Sequence, residues 1–374
     1  MAEVTHPATK RGDRFFRRNP MKVFEVASAG APAQEADRPT PDLTGKEVLV
    51  RITNSGVCHS DVHCAEGFFD MGDAGKMPVE SMGMSFPLVL GHEIVGEVTA
   101  VGPDASLTPG TEKFIVFPWI GCGECGACSE DRENYCTGAR RNLSLQHDGG
   151  FAREVWVPDE RYLIPVGDLD PSWAATLACS GLTGYAAVSK ALTTEVDRPI
   201  AVIGTGGVGL SAVVLLKARG HKNVIAADVS EDSLKNAEAA GATATVLTTG
   251  ENPVKDIINA GGGKLAAVID FVNNTVTSSI ALGTLGTGGK LVSVGLFGGQ
   301  LAFPTTVVAL QQLKIEGNFV GNLPELRELI ELAKSTQLPQ LPITEKPLEA
   351  AEVSAALTAI TEGTISGRTV LVAD

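Results

Sequence analysis

Ile200–Gly209 reads IAVIGTGGVG: four apolar residues suited to a buried strand, then Gly204, Thr205, Gly206, Gly207, Val208 and Gly209. Glycines at these places permit a tight turn and let backbone amides and the start of a helix approach a pyrophosphate. The pattern alone is weakly specific; its surroundings sharpen it. A helical stretch runs from about Val208 to Arg219, the apolar run NVIAADV follows, and Asp228 closes that run. A carboxylate about twenty residues past the turn bonds the ribose 2′-hydroxyl of NAD and repels the 2′-phosphate of NADP. The reading favours NAD.

Outward from this turn the chain keeps alternating. A further helix to Ala240, the runs AAVIDFV and GKLVSVG, and Ala-rich stretches between them form a βαβ series, which predicts an α/β class with a doubly wound parallel sheet. Upstream of about residue 178 the texture differs. MKVFEVA, KEVLVRI, IVGEVTAV, KFIVF and AREVWV are short apolar runs separated by Gly and Pro, the signature of a β-rich unit. The expected organisation is therefore a basic tail over residues 1–20, a β-rich domain over 21–178, a dinucleotide domain over 179–320, and a segment over 321–374 that returns to the first domain through the helix around ELRELIELAKS and the strand RTVLVAD.

Composition narrows the function classes. At 374 residues the chain exceeds what one hydrophobic core usually supports. A net charge of −14 repels phosphate backbones and anionic lipid, which leaves a small molecule as the expected partner, with neither nucleic acid nor membrane. Seven cysteines without an apolar signal segment point to a reducing compartment, the cytoplasm, where grouped cysteines bind metal. The tail carries Lys10, Arg11, Arg14, Arg17 and Arg18 without periodicity and reads as a flexible segment; organelle targeting is the alternative, against which stand the absence of Ser and of an amphipathic face.

Six of the seven cysteines fall in the first domain. Cys122, Cys125, Cys128 and Cys136, in GCGECGACSEDRENYC, lie close enough in sequence to close a tetrahedral zinc site with no open position, with an iron–sulfur cluster as the alternative. A second set is dispersed: Cys58 and His59 in SGVCHSDVH, His92 and Glu93 in LGHEIVG, and Cys179 in LACSGLTGY. Cys, His and Cys ligands leave a fourth position for water or substrate, the arrangement of a catalytic zinc. Spacing does not show that these residues meet, and each taken singly also suits a buried Cys or a satisfied His.

In this order GVCHSDVH, GHEIVG, the four-cysteine loop, CSGLTGY, GTGGVG and GRTVLV resemble the zinc-containing medium-chain alcohol dehydrogenases, from about Met21 to the C-terminus. The resemblance implies a GroES-like catalytic domain, a Rossmann domain, and an active site between them. It implies two zinc ions per subunit: a catalytic one on Cys58, His92 and Cys179, with Glu93 as an occasional extra ligand, and a structural one on the four grouped cysteines. Asp61 would orient His92. Ser60 would take the alcohol proton and pass it through the cofactor ribose to His63. His59 and Arg368 would contact the pyrophosphate, and Thr183 the nicotinamide. Zinc would act as a Lewis acid on the alcohol oxygen while hydride leaves for the cofactor. Members of the family are dimers or tetramers, so an oligomer is expected.

The segment GFFDMGDAGKMPVESMGMSFPLVL, between His63 and Gly91, is longer than in common members and holds four of the six methionines. Such a segment either walls the substrate cleft or packs as an inserted loop. With PWIGCGEC and DERYLIPV it resembles the bacterial 6-hydroxyhexanoate dehydrogenase subgroup, which implies a terminal alcohol on an ω-hydroxy acid. Lys76 is the cation in that segment available to a distal carboxylate; Phe69 and Trp119 suit an aromatic or aliphatic primary alcohol equally. GTEKFIVF departs from the family's usual Asp-Arg pair, and Cys64 reads as a bystander thiol. Two competing readings are an NADPH-dependent aldehyde reductase, which Asp228 opposes, and a non-catalytic nucleotide-binding protein, which the complete ligand and relay set opposes.

Overall fold

The computed structural model describes residues 20–336, 338–365 and 367–373. The basic tail expected over residues 1–20 lies outside them except for Pro20.

Alternation of apolar and polar residues builds the first sheet around Val48–Gly56 (VLVRITNSG), which pairs antiparallel with Glu93–Val101, Glu154–Val157 and Arg368–Val372. The strand order is Leu163–Pro165, Lys113–Val116, Glu93–Val101, Val48–Gly56, Arg368–Val372, Ile343–Pro347. The last strand of the chain is thus hydrogen-bonded into the sheet of the first half. A smaller sheet holds Ala33–Arg38, Met21–Val26 and Leu88–Val89. The strand Ala33–Arg38 (AQEADR) is too polar to read as a strand, and its pairing with Met21–Val26 creates it.

The second large sheet is parallel throughout. Its six strands lie in the order Ala244–Leu247, Val224–Asp228, Ile200–Ile203, Leu265–Asp270, Leu285–Ser293, Lys314–Gly317. Counted along the chain this is third, second, first, fourth, fifth, sixth, the doubly wound order whose switch point lies beside the first strand. Ile200–Ile203 and Leu265–Asp270 are buried along their whole length, which explains their unbroken apolar runs.

A helical run joins the two sheets: Pro171–Thr176, a π-helical turn Leu177–Gly181, then Leu182–Ala191. Asp170 caps it by accepting from Trp173 N at 2.9 Å, and Pro171 occupies the first turn, where its missing N–H is no loss. Leu182, Val188, Val213, Leu216, Ile330 and Leu371 belong to one continuous apolar core that runs under both sheets. Among the described residues, no helix is long and apolar enough to cross a membrane.

Candidate active site

Three short structures bring the dispersed donors together. Cys58 caps the helix His59–Glu66, with Asp61 in its first turn; Gly67, at φ +84°, ends it. His92 precedes Glu93–Val101, and Cys179 sits on the π-helical turn, a distortion common at functional sites. The Sγ atoms of Cys58 and Cys179 and a ring nitrogen of His92 lie within 4.8 Å of one another, all three residues buried. Zn–S bonds of about 2.3 Å in a tetrahedron put two sulfurs about 3.8 Å apart; these two are 3.9 Å apart. His92 Nε2 is buried with no partner among the described residues, as a metal-facing nitrogen would be. The donor set fits zinc.

Asp61 holds this group from behind. Its Oδ2 accepts from Cys58 N at 3.0 Å, and its Oδ1 accepts from Gly91 N at 3.0 Å and lies 3.2 Å from His92 Nδ1. Ser144 Oγ is also 3.2 Å from Nδ1, a partner that the sequence motifs do not mention. Gly91 has φ +86°, and a Cβ there would press on Phe151, so glycine is required for the backbone to reach Asp61. The hydrogen bond shared with Cys179 holds the Cys58 thiol well below its ordinary pKa, against burial, with His92 assisting. The Asp61 carboxylate raises His92 against its burial. Cys64 is buried and burial pushes its thiol up, which suits a bystander.

Glu93 does not join the converging donors. Arg368 Nη2 donates to both of its carboxylate oxygens at 2.5 Å, and Ser180 N adds a longer bond at 3.3 Å. Arg368 is buried, and its side chain packs against Gly207 in the glycine-rich turn. Its Nε has no partner among the described residues. The guanidinium therefore joins the metal side of the site to the turn.

The turn has the form of an anion cradle. Gly204 is at φ +80°, a Cβ on Gly209 would strike Gly204 O, and a Cβ on Gly206 would enter open space at the start of the helix Gly207–Ala218. Among the described residues no side chain caps that helix, so its first N–H groups are open to a phosphate. Asp228 Oδ2 accepts from Thr205 N at 2.6 Å and Thr205 Oγ1 at 3.1 Å, which fixes the carboxylate beside the turn. The residues fit a dinucleotide.

A cavity of about 740 Å³ connects these parts. Cys58, His92 and Cys179 line it together with Ser60, His63 and Thr183, and His59 and Val208 border it as well. Ser60 and His63 are three residues apart on one helix, hence on one face. Burial and the neighbouring His59, its ring centroid 5.2 Å away, hold His63 below its ordinary pKa. Phe69 and Trp119 form apolar wall; Trp119 Nε1 donates to Ala178 O at 3.0 Å and its ring lies 5.1 Å from that of His92.

The Met-rich segment lines the cavity and also packs into the core. It folds as a hairpin, Phe68–Asp70 with Lys76–Pro78, that puts Met71 and Met77 on the cavity with Phe69, while Met84 is in the core. Lys76 is placed elsewhere: its Nζ stands 3.5 Å over the Phe68 ring and does not line the cavity. Lys190 does line it, and so do Leu296, Phe297, Asn318 and Phe319, none of which the motifs single out. For Leu296, Phe297, Asn318 and Phe319 the signal was positional, since they follow the strands Leu285–Ser293 and Lys314–Gly317 and ligands bind at the carboxyl ends of such strands; Lys190 is in the helix Leu182–Ala191.

Cys122, Cys125, Cys128 and Cys136 form a separate cluster, with Sγ–Sγ distances such as 3.5, 3.9 and 4.0 Å. Backbone N–H groups of Cys128 and Thr137 push Cys125 down to about 5, toward the thiolate that metals bind. Four sulfurs at this spacing fit a closed tetrahedral site.

Comparison with known proteins agrees with this geometry. Residues 44–168 match the model of the alcohol dehydrogenase GroES-like domain and residues 207–335 that of the zinc-binding dehydrogenase. An NAD-dependent alcohol dehydrogenase of Sulfurisphaera tokodaii is 34% identical over 94% of this chain and the whole of that protein, and an alcohol dehydrogenase of Geobacillus stearothermophilus is 33% identical over 88% of this chain and 93% of its own. The crystal structure of the alcohol dehydrogenase from Aeropyrum pernix superposes with a TM-score of 0.84 at 32% identity, covering 94% of this chain and 99% of that one. With both domain models in chain order and relatives matched end to end, the chain belongs to the zinc-containing medium-chain alcohol dehydrogenase family.

Proposed function

We propose that this enzyme interconverts apolar primary alcohols and their aldehydes with NAD as hydride acceptor, that Cys58, His92 and Cys179 hold its catalytic zinc, and that Cys122, Cys125, Cys128 and Cys136 hold a structural one. The observation that carries the reading is the opening of three buried zinc-type donors onto an apolar cavity that Val208 of the glycine-rich turn also borders. NAD is supported by Asp228 beside the turn and by the cofactor in the S. tokodaii relative's name. When bound, zinc supplies a Lewis acid that acidifies an alcohol hydroxyl, and NAD supplies the hydride acceptor.

The chain's own residues supply the rest. Asp61 fixes Cys58 and His92 in place before substrate arrives. Ser60 accepts the alcohol proton, and His63, kept neutral near pH 7 by burial, passes it outward. Arg368 and the helix start at Gly207 hold the pyrophosphate, with His59 beside them, and Thr183 backs the nicotinamide. Phe69, Trp119, Phe297 and Phe319 exclude water from the reacting atoms.

One observation favours a second substrate reading. Among the described residues Lys190 is the lysine in the cavity wall, and its ammonium, bonded to Gly317 O at 2.9 Å and 4.0 Å from the Glu316 carboxylate, has three donors, one of which would serve the carboxylate of an ω-hydroxy acid such as 6-hydroxyhexanoate. An oligomer is proposed as well: among the described residues the edge strand Lys314–Gly317 pairs on one side only, with Ile315 and Leu310 exposed beside it. The test is turnover of hexanol, benzyl alcohol, 6-hydroxyhexanoate and a secondary alcohol with NAD and with NADP. Primary neutral alcohols are expected to lead with NAD. A tenfold lead in kcat/KM for 6-hydroxyhexanoate, about 1.4 kcal/mol, selects the second reading; no turnover of any alcohol with zinc bound refutes both.

A further inference from the structure

Ser144 stands beside the metal-type donors without belonging to any motif. It is 1% exposed, and its Oγ lies 3.2 Å from His92 Nδ1. Asp61 Oδ1 lies at the same 3.2 Å from the same nitrogen. A bond to an ionised carboxylate is normally about 2.7–2.9 Å long, so neither contact is a full bond to a single acceptor. The backbone sharpens the point: Ser144 is at φ +67°, a left-handed conformation that glycine adopts more easily than serine. Strain of this kind persists where the surroundings impose it. They do so on both sides of the residue. Leu143 N donates to Pro118 O at 3.0 Å, Gln146 N to Asn142 O at 3.0 Å, and Gln146 Nε2 to Met82 O of the Met-rich segment at 2.9 Å. Gly149 leaves the room, since a Cβ there would come within 2.6 Å of Ser144 Cβ.

We infer that Ser144 is a positioning residue that takes a share of the His92 N–H away from Asp61. With Nε2 left to the metal, Nδ1 is the nitrogen that carries the ring's proton, so both oxygens accept and one N–H is divided between a carboxylate and a hydroxyl. A carboxylate that receives the whole N–H makes the imidazole a stronger donor to its metal, and a stronger donor leaves the metal a weaker Lewis acid. The neutral hydroxyl limits that transfer. Asp61 therefore aims the ring, Ser144 moderates its donation, and the metal keeps more of the acidity that alcohol oxidation requires. The inference rests on the zinc assignment proposed above.

The test follows the proton resonance of His92 Nδ1–H by NMR in the zinc-loaded enzyme and in Ser144→Ala and Ser144→Gly. The glycine variant relieves the backbone and guards against an alanine variant that does not fold. Cadmium-substituted samples identify the ring by its coupling to the metal nucleus, because His92 is the one histidine among the proposed ligands. Both variants are expected to move the resonance to lower field, as a shorter bond to Asp61 does. They should also hold zinc at Cys58, His92 and Cys179 up to at least the chelator concentration at which the wild type releases it, and lose kcat for alcohol oxidation severalfold with that zinc in place. A partner that only orients the ring acts in the opposite sense: its removal costs about 10–100-fold in metal affinity and leaves the resonance unmoved or at higher field. Either of those results, with zinc bound in the wild type, overturns the inference alone. A wild type that binds no zinc at these three residues overturns the inference and the zinc assignment together.

Discussion

Replacing Asp61 by Asn changes one side chain without changing its size, yet it strikes the group that orders two zinc ligands. The carboxylate accepts from Cys58 N and Gly91 N, each at 3.0 Å, and faces His92 Nδ1 at 3.2 Å. In Asn one of the two oxygens becomes an NH₂ donor. Whichever way the amide turns, it confronts a backbone N–H with another donor, and a buried unsatisfied donor costs about 1–3 kcal/mol. Loss of such an outer partner reduces metal affinity about 10–100-fold, about 1.4–2.7 kcal/mol at 1.36 kcal/mol per tenfold, which is the same range. Asp61→Asn should therefore lose zinc from Cys58, His92 and Cys179 at a chelator concentration about 10–100-fold lower than the wild type needs, while the four-cysteine cluster keeps its ion. Zinc content by atomic emission after dialysis against graded chelator measures this directly. Retention of both ions at wild-type affinity would refute the reasoning, and so would earlier loss from the four-cysteine cluster.

Cys125→Ala should open the four-sulfur cluster and lower the unfolding temperature, while zinc remains at the other site; calorimetry with metal analysis checks both. His63→Ala should reduce kcat for alcohol oxidation about 10²–10⁴-fold if it is the sole proton outlet, with partial rescue by added imidazole. Because burial lowers the His63 pKa, the imidazole stays neutral as pH falls through 6.5, so the acid limb of the kcat/KM profile set by this residue should lie below that value; a limb above it would contradict the role. Asp228→Ala should reduce the preference for NAD over NADP at least tenfold, read as a ratio of kcat/KM values. Trp119→Ala should admit bulkier alcohols and cost about 3–5 kcal/mol of stability, measured by substrate panel and denaturant unfolding.

Local signals were legible because neighbours in sequence create them. IAVIGTGGVG contains the strand, the turn and the helix start of the first βα unit, and the structure has that unit with the helix at Gly207–Ala218. The alternation in KEVLVRI and IVGEVTAV is the pleat of the two central strands of the first sheet. Harder to read were elements that exist by pairing. Ala33–Arg38 has polar residues at most positions, and the hairpin Phe68–Asp70 with Lys76–Pro78 is three residues to a strand. The helix His59–Glu66 is hidden in GVCHSDVH because its length is two turns and its capping residue is a cysteine.

By itself the sequence determined the dinucleotide turn, the parallel series around it, and four cysteines close enough to share an ion wherever their loop lies. Tertiary structure alone decided that the sulfurs of Cys58 and Cys179, 121 residues apart, lie 3.9 Å from each other with a ring nitrogen of His92 within 4.8 Å of both. It decided also that Arg368 spans 275 residues to reach Glu93 and that Lys190 replaces Lys76 in the cavity wall. Periodicity tells which side of a strand faces inward. It does not tell which strands are neighbours or in what register, and a slip of one residue turns each side chain to the opposite face. The meeting of distant groups is therefore set by sheet order and closure, which only the folded chain displays.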